Sequence, residues 1–207
     1  MVSRGMLMSF SDPVAGMVPS LVPFQYNPAE VTRVLKVQAG TGGASGLRVS
    51  GPPSEQYTLK IELDALDAPD KPITGTLGVG PLLASIEAML EPGGGGLAAL
   101  VGAVASVIGL GGSSPASVPA PTLPLVVLAW SLERIVPVRI DSYTARETAF
   151  DAMLQPVQAS VDISLTVLRG SDLGQEMKLA NVLATAYQTV RTTAATAGLA
   201  QGVELML

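Results

Sequence analysis

Two segments of the chain alternate apolar and polar residues strictly, and this alternation constrains the fold more than any other feature of the sequence. The segments are residues 56–64 and residues 157–169. Because successive side chains of a β-strand point to opposite faces, each segment would place its apolar side chains on one face of a sheet. Both segments are therefore predicted to be strands. The apolar positions are Tyr57, Leu59, Ile61 and Leu63 in the first segment, and Val161, Ile163, Leu165 and Val167 in the second.

Shorter patterns predict further strands at residues 4–10, 20–26, 31–38 and 134–142. The run 123–131 is almost continuously apolar, which is typical of a strand buried on both faces. A polar, alternating stretch follows at residues 143–150. The close succession of strands between residues 123 and 169 predicts an antiparallel meander. The expected fold class is mainly β with short helices (α+β).

Two segments change from strand to helical periodicity. Residues 81–90 repeat apolar residues every three or four positions, and Pro81 is acceptable at a helix start. Residues 172 to about 197 predict a C-terminal helix with one apolar stripe, which we expect to pack on the chain's own domain. The apolar residues of the first helix are Leu82, Leu83, Ile86, Met89 and Leu90, and those of the stripe are Leu179, Val182, Leu183, Ala186, Tyr187 and Val190.

Residues 93–122 differ in composition from the segments on either side. Four glycines, an Ala/Val/Leu run and several prolines predict an insertion, expected as a partly ordered loop with a short buried helix. A segment that enters a pore or touches a membrane is the alternative. The expected domain organisation is a β domain at 1–170 interrupted by 93–122, followed by a helical extension at 171–207.

The apolar segments are not expected to cross a membrane. The longest run, residues 97–110, is shorter than the roughly 20 residues that a transmembrane helix needs, and it contains Gly102 and Gly109. The first residues of the chain lack an apolar core long enough for a secretory signal. We therefore expect a cytoplasmic protein.

Composition excludes several classes of function. The chain has no Cys and no His, which removes disulfide frameworks, zinc–thiolate sites and His-dependent hydrolases. Its net charge of −5 and the lack of a basic run argue against nucleic-acid binding. Only 14% of residues are charged, against about 25% in an average globular protein. A surface with so few charges is expected to be covered by neighbouring subunits.

Carboxylate chemistry is the remaining catalytic option. Glu62, Asp64, Asp67 and Asp70 form the densest acidic group, and a glycosidase pair or a divalent-cation site could be drawn there. A solvated strand face that runs into a turn explains the same residues without further assumptions. The glycines at 93–96 lack the Lys-Ser or Lys-Thr of a phosphate-binding loop. We expect no enzymatic activity, no cofactor and no metal.

Six phrases, taken in order, are more specific than any single motif. Together they resemble the tube-like domain of baseplate adaptor proteins in contractile injection systems, the phage-tail-like machines of bacteria and archaea. The resemblance covers roughly residues 5–170 without the insertion. The phrases are residues 23–28, 51–55, 59–65, 79–87, 136–140 and 150–159. The family-like positions within them are Phe24, Gln25, Tyr26, Asn27, Pro28, Gly51, Pro52, Pro53, Pro137, Phe150 and Pro156.

The resemblance implies a tail-tube fold, which is an antiparallel β-barrel or sandwich with a helix. It also implies a hexameric ring that joins the inner tube to the spike hub of an intracellular or released particle. Tube, hub, sheath and baseplate proteins are the implied partners. Many members carry a C-terminal LysM domain, whereas this chain has only the predicted helix after Arg169.

Three alternatives stay open beside the adaptor ring. A relative without LysM could form a cap or terminator ring at the far end of the tube and sheath. A monomeric β-barrel that binds a small ligand is a second possibility. A carboxylate-dependent enzyme working through Glu62 and Asp64 is the third.

Overall fold

A computed structural model describes residues 4–10, 20–40, 47–67, 77–92, 123–131 and 133–204. The predicted insertion at 93–122 and Asp70 lie outside these residues.

Seven strands form one antiparallel sheet. Its spatial order is β2-β1-β5-β6-β7-β4-β3, so that β2 and β3 are the two edge strands. This confirms the predicted fold class and the meander, which is β5-β6-β7. The sheet is open, whereas the resemblance implied a barrel or sandwich. The strands are β1 (Met6–Phe10), β2 (Ser20–Pro23), β3 (Val31–Lys36), β4 (Ser54–Asp64), β5 (Leu125–Ser131), β6 (Arg134–Phe150) and β7 (Pro156–Val167).

The main core lies on one face of the sheet, the face to which the alternating apolar residues of β4 and β7 were predicted to point. All the apolar positions predicted in β4 and β7 are buried, and they pair across the two strands, for example Ile61 with Val161. β5 is buried on both faces, as predicted. Its residues Val126 and Leu128 belong to the main core, and Leu125 and Val127 belong to a smaller cluster on the opposite face.

Two helices cover the cores. Helix α1 (Gly80–Glu87) packs Leu83 and Ile86 into the main core, and Met89 follows in the turn after it. Helix α2 (Lys178–Glu204) comes after a 3-10 turn at Gly170–Asp172. Both predicted helices are confirmed. α2 begins later than predicted because Asp172 accepts a hydrogen bond from the Arg169 N–H (2.9 Å) and closes the 3-10 turn instead.

Residues 134–150 form one strand, β6, so the prediction of two separate segments at 134–142 and 143–150 was wrong. The strand is continuous over 17 residues, with a register shift between Ile140 and Ser142 against β7. Val138 and Ile140 face the main core before the shift, and Tyr143 packs against the same core after it. One inserted residue thus reverses the phase of the alternation, which made one strand look like two.

The buried face of α2 also differs from the predicted apolar stripe. Ala180, Ala184 and Tyr187 are buried, whereas Val182 and Val190 are exposed. The helix lies close to the sheet, and small alanine side chains permit that approach where branched valines would not. The predicted stripe is therefore only partly right. Tyr187 is fully buried and Leu179 and Leu183 are half-buried against the smaller cluster. The remaining members of the stripe, Val182, Ala186 and Val190, are exposed.

Candidate functional site

The first family-like phrase forms a corner between β2 and β3. The Phe24 ring is buried against Trp130, with ring centroids 6.3 Å apart. The Phe24 N–H donates to the Gly5 carbonyl (2.8 Å), and the Gly5 N–H donates to Asn27 Oδ1 (2.9 Å). The phrase therefore fixes the chain that leaves β2 against the start of β1. Pro28 follows Asn27 where the chain turns towards β3.

Gln25 and Tyr26 connect this corner to the end of β4. The Gln25 amide pairs with the backbone of Asp64, accepting from its N–H (2.9 Å) and donating to its carbonyl (2.5 Å). The Tyr26 hydroxyl donates to the Asp67 carboxylate, and this hydrogen bond raises the pKa of Tyr26 to about 12. The Gln25 side chain thus pairs with the backbone at the end of β4, as a neighbouring strand would.

The other family-like positions lie at junctions between elements. Gly51, Pro52 and Pro53 precede β4, and the Arg169 guanidinium donates to the Pro53 carbonyl. The Pro137 carbonyl accepts from the N–H of Leu168 (2.9 Å).

Pro156 and Phe150 flank the turn between β6 and β7. The Pro156 carbonyl accepts from the Val79 N–H (2.9 Å) at the start of α1. Gly78 has a φ of +61°, and a Cβ there would lie 2.2 Å from the Pro156 oxygen, so only glycine fits. Phe150 is exposed.

The predicted acidic group is spread over separate contacts. Glu62 pairs with Lys60 (2.9 Å), and Asp64 accepts from Gln158 Nε2 (2.7 Å). Asp67 binds Tyr26 as described above. Within the described part of the chain, no three His, Cys, Asp or Glu side chains are placed to hold a metal ion.

A buried carboxylate that the sequence analysis missed lies at the other end of β4. Glu55 is fully buried, and four side chains donate hydrogen bonds to it. Arg33 Nε (2.6 Å), Tyr187 OH (2.6 Å) and Tyr57 OH (2.9 Å) contact Oε1, and Arg191 Nη1 (2.7 Å) contacts Oε2. We call these five residues the Glu55 cluster. It joins β3, β4 and α2 through one carboxylate.

The electrostatics of the Glu55 cluster favour the ionised carboxylate. Burial alone would raise the pKa of Glu55, but hydrogen bonds from Tyr187 and Tyr57 and the charges of Arg191 and Arg33 together lower it below its usual value. Burial and the contacts with Glu55 raise the pKa values of Tyr57 and Tyr187. Both phenols therefore stay neutral and remain hydrogen-bond donors at physiological pH.

One signal in the sequence could have revealed the Glu55 cluster. Glu55 has the same phase as Tyr57 and Leu59 in the alternation, so it belongs to the core-facing side of β4. A charged residue in that phase requires partners. The partners themselves are not visible from sequence, because Arg191 lies 136 residues from Glu55 along the chain.

The opposite face of β4, β7 and the part of β6 from Arg139 onward is polar and is left uncovered by the two cores. The smaller cluster covers the start of β6 on this face, where Ile135 packs against it. Short polar side chains dominate the uncovered part, and ion pairs join Lys60 to Glu62, Arg139 to Asp141, and Arg146 to Asp162. We call this surface the polar face. Its charges are nearly balanced, because each cation lies beside a carboxylate.

The edge strands are the second uncovered feature. In β3, every residue after Val31 is exposed, and three of the four residues of β2 are exposed. Among the described residues, β2 pairs with β1 alone and β3 with β4 alone. Their outer edges therefore offer backbone groups that another strand could pair with.

The described residues also form an apolar cavity, a polar groove and a groove whose walls are mostly apolar. The cavity, about 130 Å³, lies among Met89, β5, β6 and Met177. The grooves, about 370 and 390 Å³, meet at Tyr26, Lys60 and Glu62. Small-ligand sites usually enclose about 300–1,000 Å³ with mostly apolar walls. The cavity is smaller than that, whereas the mostly apolar groove along residues 26–30 reaches this size. Neither described helix combines the length and apolarity needed to cross a bilayer.

No protein-family model and no curated protein matches the chain. A functional assignment therefore depends on the ordered phrases and on the surfaces described above.

Proposed function

We propose that the chain is a structural, non-catalytic subunit of a phage-tail-like contractile injection system. In this proposal six copies form a ring that joins the inner tube to the baseplate hub. The observation that carries the proposal is the open antiparallel sheet with two exposed edge strands, built by a chain whose ordered phrases resemble tube-like baseplate adaptors.

The edge strands supply the lateral contact. β2 lies at one edge and β3 at the other, so β3 of one copy can pair with β2 of the next. Such a contact is heterologous, and it closes into a ring when the rotation per copy divides a full turn. Ring closure would also cover both edges, which otherwise invite uncontrolled pairing.

The polar face supplies the wall of the channel. A ring built by sheet continuation has one face of the sheet inside and one outside. α1 and the main core occupy one face. On the opposite face the smaller cluster and the start of α2 lie at β5 and the start of β6, which leaves the polar face free to line an aqueous bore. Its paired charges, such as Lys60 with Glu62, suit a wall that contacts water.

The mass of the purified protein in solution tests the proposal. Light scattering on a size-exclusion column should give a closed species near six subunits. If the ring needs a template, the chain should instead co-purify with tube, hub or sheath proteins. Electron microscopy of the particle would then distinguish the adaptor position from the terminator position at the far end.

Edge variants test the mechanism of ring closure. Leu21→Glu in β2 and Val34→Glu in β3 each place a charge at an exposed edge position, and both should reduce the ring to monomers. Val182→Glu is the matched control, because Val182 is exposed on α2 away from either edge. Circular dichroism would verify that all three variants fold.

A wild-type protein that is monomeric and does not co-purify with tube, sheath or hub proteins would overturn the proposal. That result would favour the monomeric ligand-binding alternative, for which the described sheet offers an open rather than a closed interior.

A further inference from the structure

The turn between β6 and β7 displays a cluster of large apolar side chains. Met153 is 82% exposed, Leu154 81% and Phe150 53%. Leu66, 68% exposed, follows β4 at the same end of the sheet, where Ala65 donates its N–H to the Val157 carbonyl (2.8 Å). We call these four residues the tip. Single exposed apolar residues are ordinary, but a cluster marks a contact surface.

The tip is held in one conformation by its own hydrogen bonds. Asp151 Oδ1 accepts from the N–H groups of Met153 (2.8 Å) and Gln155 (2.9 Å). The Asp151 N–H donates to the Gln155 carbonyl (3.0 Å), which closes the turn. A turn that is already ordered loses little conformational entropy when it binds a partner.

A second apolar cluster lies on the extension of the β3–β4 ladder. Beyond Lys36, the chain continues as two short paired segments, with hydrogen bonds from Gly40 N to Arg48 O and from Ser50 N to Gln38 O (both 3.0 Å). We call residues 37–40 and 47–50 the arm. Its exposed apolar residues are Leu47 (92%), Val37 (68%) and Val49 (57%).

The tip and the arm lie at opposite ends of the sheet. The arm adjoins Ser54, the first residue of β4, because Ser54 pairs with Lys36. The tip adjoins Asp64, the last residue of β4, which pairs with Gln158 of β7. An 11-residue strand spans about 35 Å at about 3.3 Å per residue. The two clusters therefore cannot cover each other within one copy.

The two ends carry opposite charge. Residues 31–53 contain three cations and no carboxylate, whereas residues 61–67 and 147–158, which adjoin at the tip, contain five carboxylates and no cation. The cations are Arg33, Lys36 and Arg48, and the carboxylates are Glu62, Asp64, Asp67, Glu147 and Asp151. Some of these charges are already paired within one copy: Arg33 with Glu55, and Glu62 with Lys60. Arg146 borders the acidic end but lies beside Asp162. The excess charge therefore comes from two cations at the arm and four carboxylates at the tip.

We propose that the tip of one copy docks on the arm of a second copy, end to end. The contact joins two apolar clusters and brings the acidic end against the basic end, which specifies head-to-tail orientation and disfavours tip-to-tip and arm-to-arm pairing. This inference depends on the proposed function, because it takes a second copy of the chain as the partner. It adds a contact along the strand direction, so rings can stack on one another and the chain can supply more than one layer.

Disulfide cross-linking tests the orientation without background, because the chain contains no Cys. Met153→Cys places a thiol on the tip, and Leu47→Cys places one on the arm. Mixing the two single variants under mild oxidation should give a cross-linked dimer, whereas each variant alone should give none. The double variant should give a ladder of higher multimers.

Charge reversal supplies a second test. The combination Lys36→Glu and Arg48→Glu should abolish the cross-link between the tip of one copy and the arm of the next, with the cysteines placed as before. Lys178→Glu is the matched control, because it reverses an exposed cation at the start of α2, outside the arm. This control should leave the cross-link unchanged.

The outcomes separate this inference from the proposed function. A wild-type ring whose mixed variants give no cross-link would overturn the end-to-end contact and leave the ring intact. Cross-linking by Met153→Cys alone would overturn the head-to-tail orientation. A cross-linked ladder formed by a protein without closed rings would support the end-to-end contact and count against the ring.

Discussion

The Glu55 carboxylate holds α2 on the sheet, since Tyr187 and Arg191 of that helix both donate hydrogen bonds to it. Arg33 brings the edge strand β3 into the same contact. A charge buried in this way is costly unless every partner is present. Glu55 therefore couples α2, the interior strand β4 and the edge strand β3.

Replacing Glu55 should destabilise the fold strongly. Glu55→Gln keeps the shape but leaves Arg33 and Arg191 without their counter-charge, and we expect a loss of about 3 kcal/mol in the free energy of unfolding. The guanidinium groups are about a third exposed, so water relieves part of the cost. Urea denaturation measures the change.

The matched control for this variant is Glu62→Gln, which removes an exposed ion pair with Lys60. It should change the free energy of unfolding by less than about 0.5 kcal/mol. Equal effects of the two variants would contradict the structural role of Glu55.

The lowered pKa of Glu55 predicts a specific acid sensitivity. The unfolded chain binds a proton at Glu55 near pH 4.5, and the folded chain binds it only at lower pH. The contribution of Glu55 is therefore fully present above about pH 5 and is lost as the pH falls through the folded pKa. Urea midpoints measured between about pH 6 and about pH 3 should fall more steeply for the wild type than for Glu55→Gln.

At the scale of the helix and strand, the sequence patterns predicted well which segments form helices or strands and where they lie. They failed where a contact between distant elements determines the register of a strand or the buried face of a helix. The alternation in β4 and β7 gave the core face correctly. The phase reversal in β6 depends on pairing with β7, and no local pattern distinguishes it from a break between strands. The buried face of α2 depends on how closely the helix approaches the sheet, which favours Ala180 and Ala184 over more apolar Val182.

The same limit applied to the candidate site. The family-like phrases marked a corner, a strand start and a turn. The hydrogen bonds of Gln25 to Asp64 and of Arg169 to Pro53 join residues too far apart in the chain for sequence spacing to suggest. The sequence marks Glu55 only as a charged residue at a position that the alternation of β4 assigns to the core.

The close approach of α2 can be tested by enlarging a buried alanine. Ala184→Leu should cost about 1–3 kcal/mol of unfolding free energy, because the added atoms have no space between helix and sheet. Ala186→Leu, two residues along on the exposed side, should be neutral within about 0.5 kcal/mol. Thermal unfolding followed by circular dichroism compares the two, and a neutral Ala184→Leu would contradict the close packing of α2 on the sheet at Ala184.

For the whole molecule, the lateral and end-to-end contacts should respond differently to salt. The proposed pairing of β2 with β3 of the next copy would use backbone hydrogen bonds. The proposed contact between tip and arm would depend partly on opposite charge. Raising NaCl from about 0.05 M to about 0.5 M shortens the screening length several-fold. We expect stacked rings to separate into single rings, as measured by sedimentation velocity. Rings that dissociate before the stacks would contradict this assignment of contacts.

The order of the strands also has a kinetic consequence. The first half of the chain makes two separate hairpins, β1–β2 and β3–β4, which end up at opposite sides of the sheet. Only β5, β6 and β7, made last, join them, through pairings such as Leu59 with Ile163. Such distant pairings form slowly. A nascent chain on the ribosome would therefore expose both edge strands before β5, β6 and β7 join the two hairpins into one sheet. The proposed assembly of copies would then wait until translation is nearly complete.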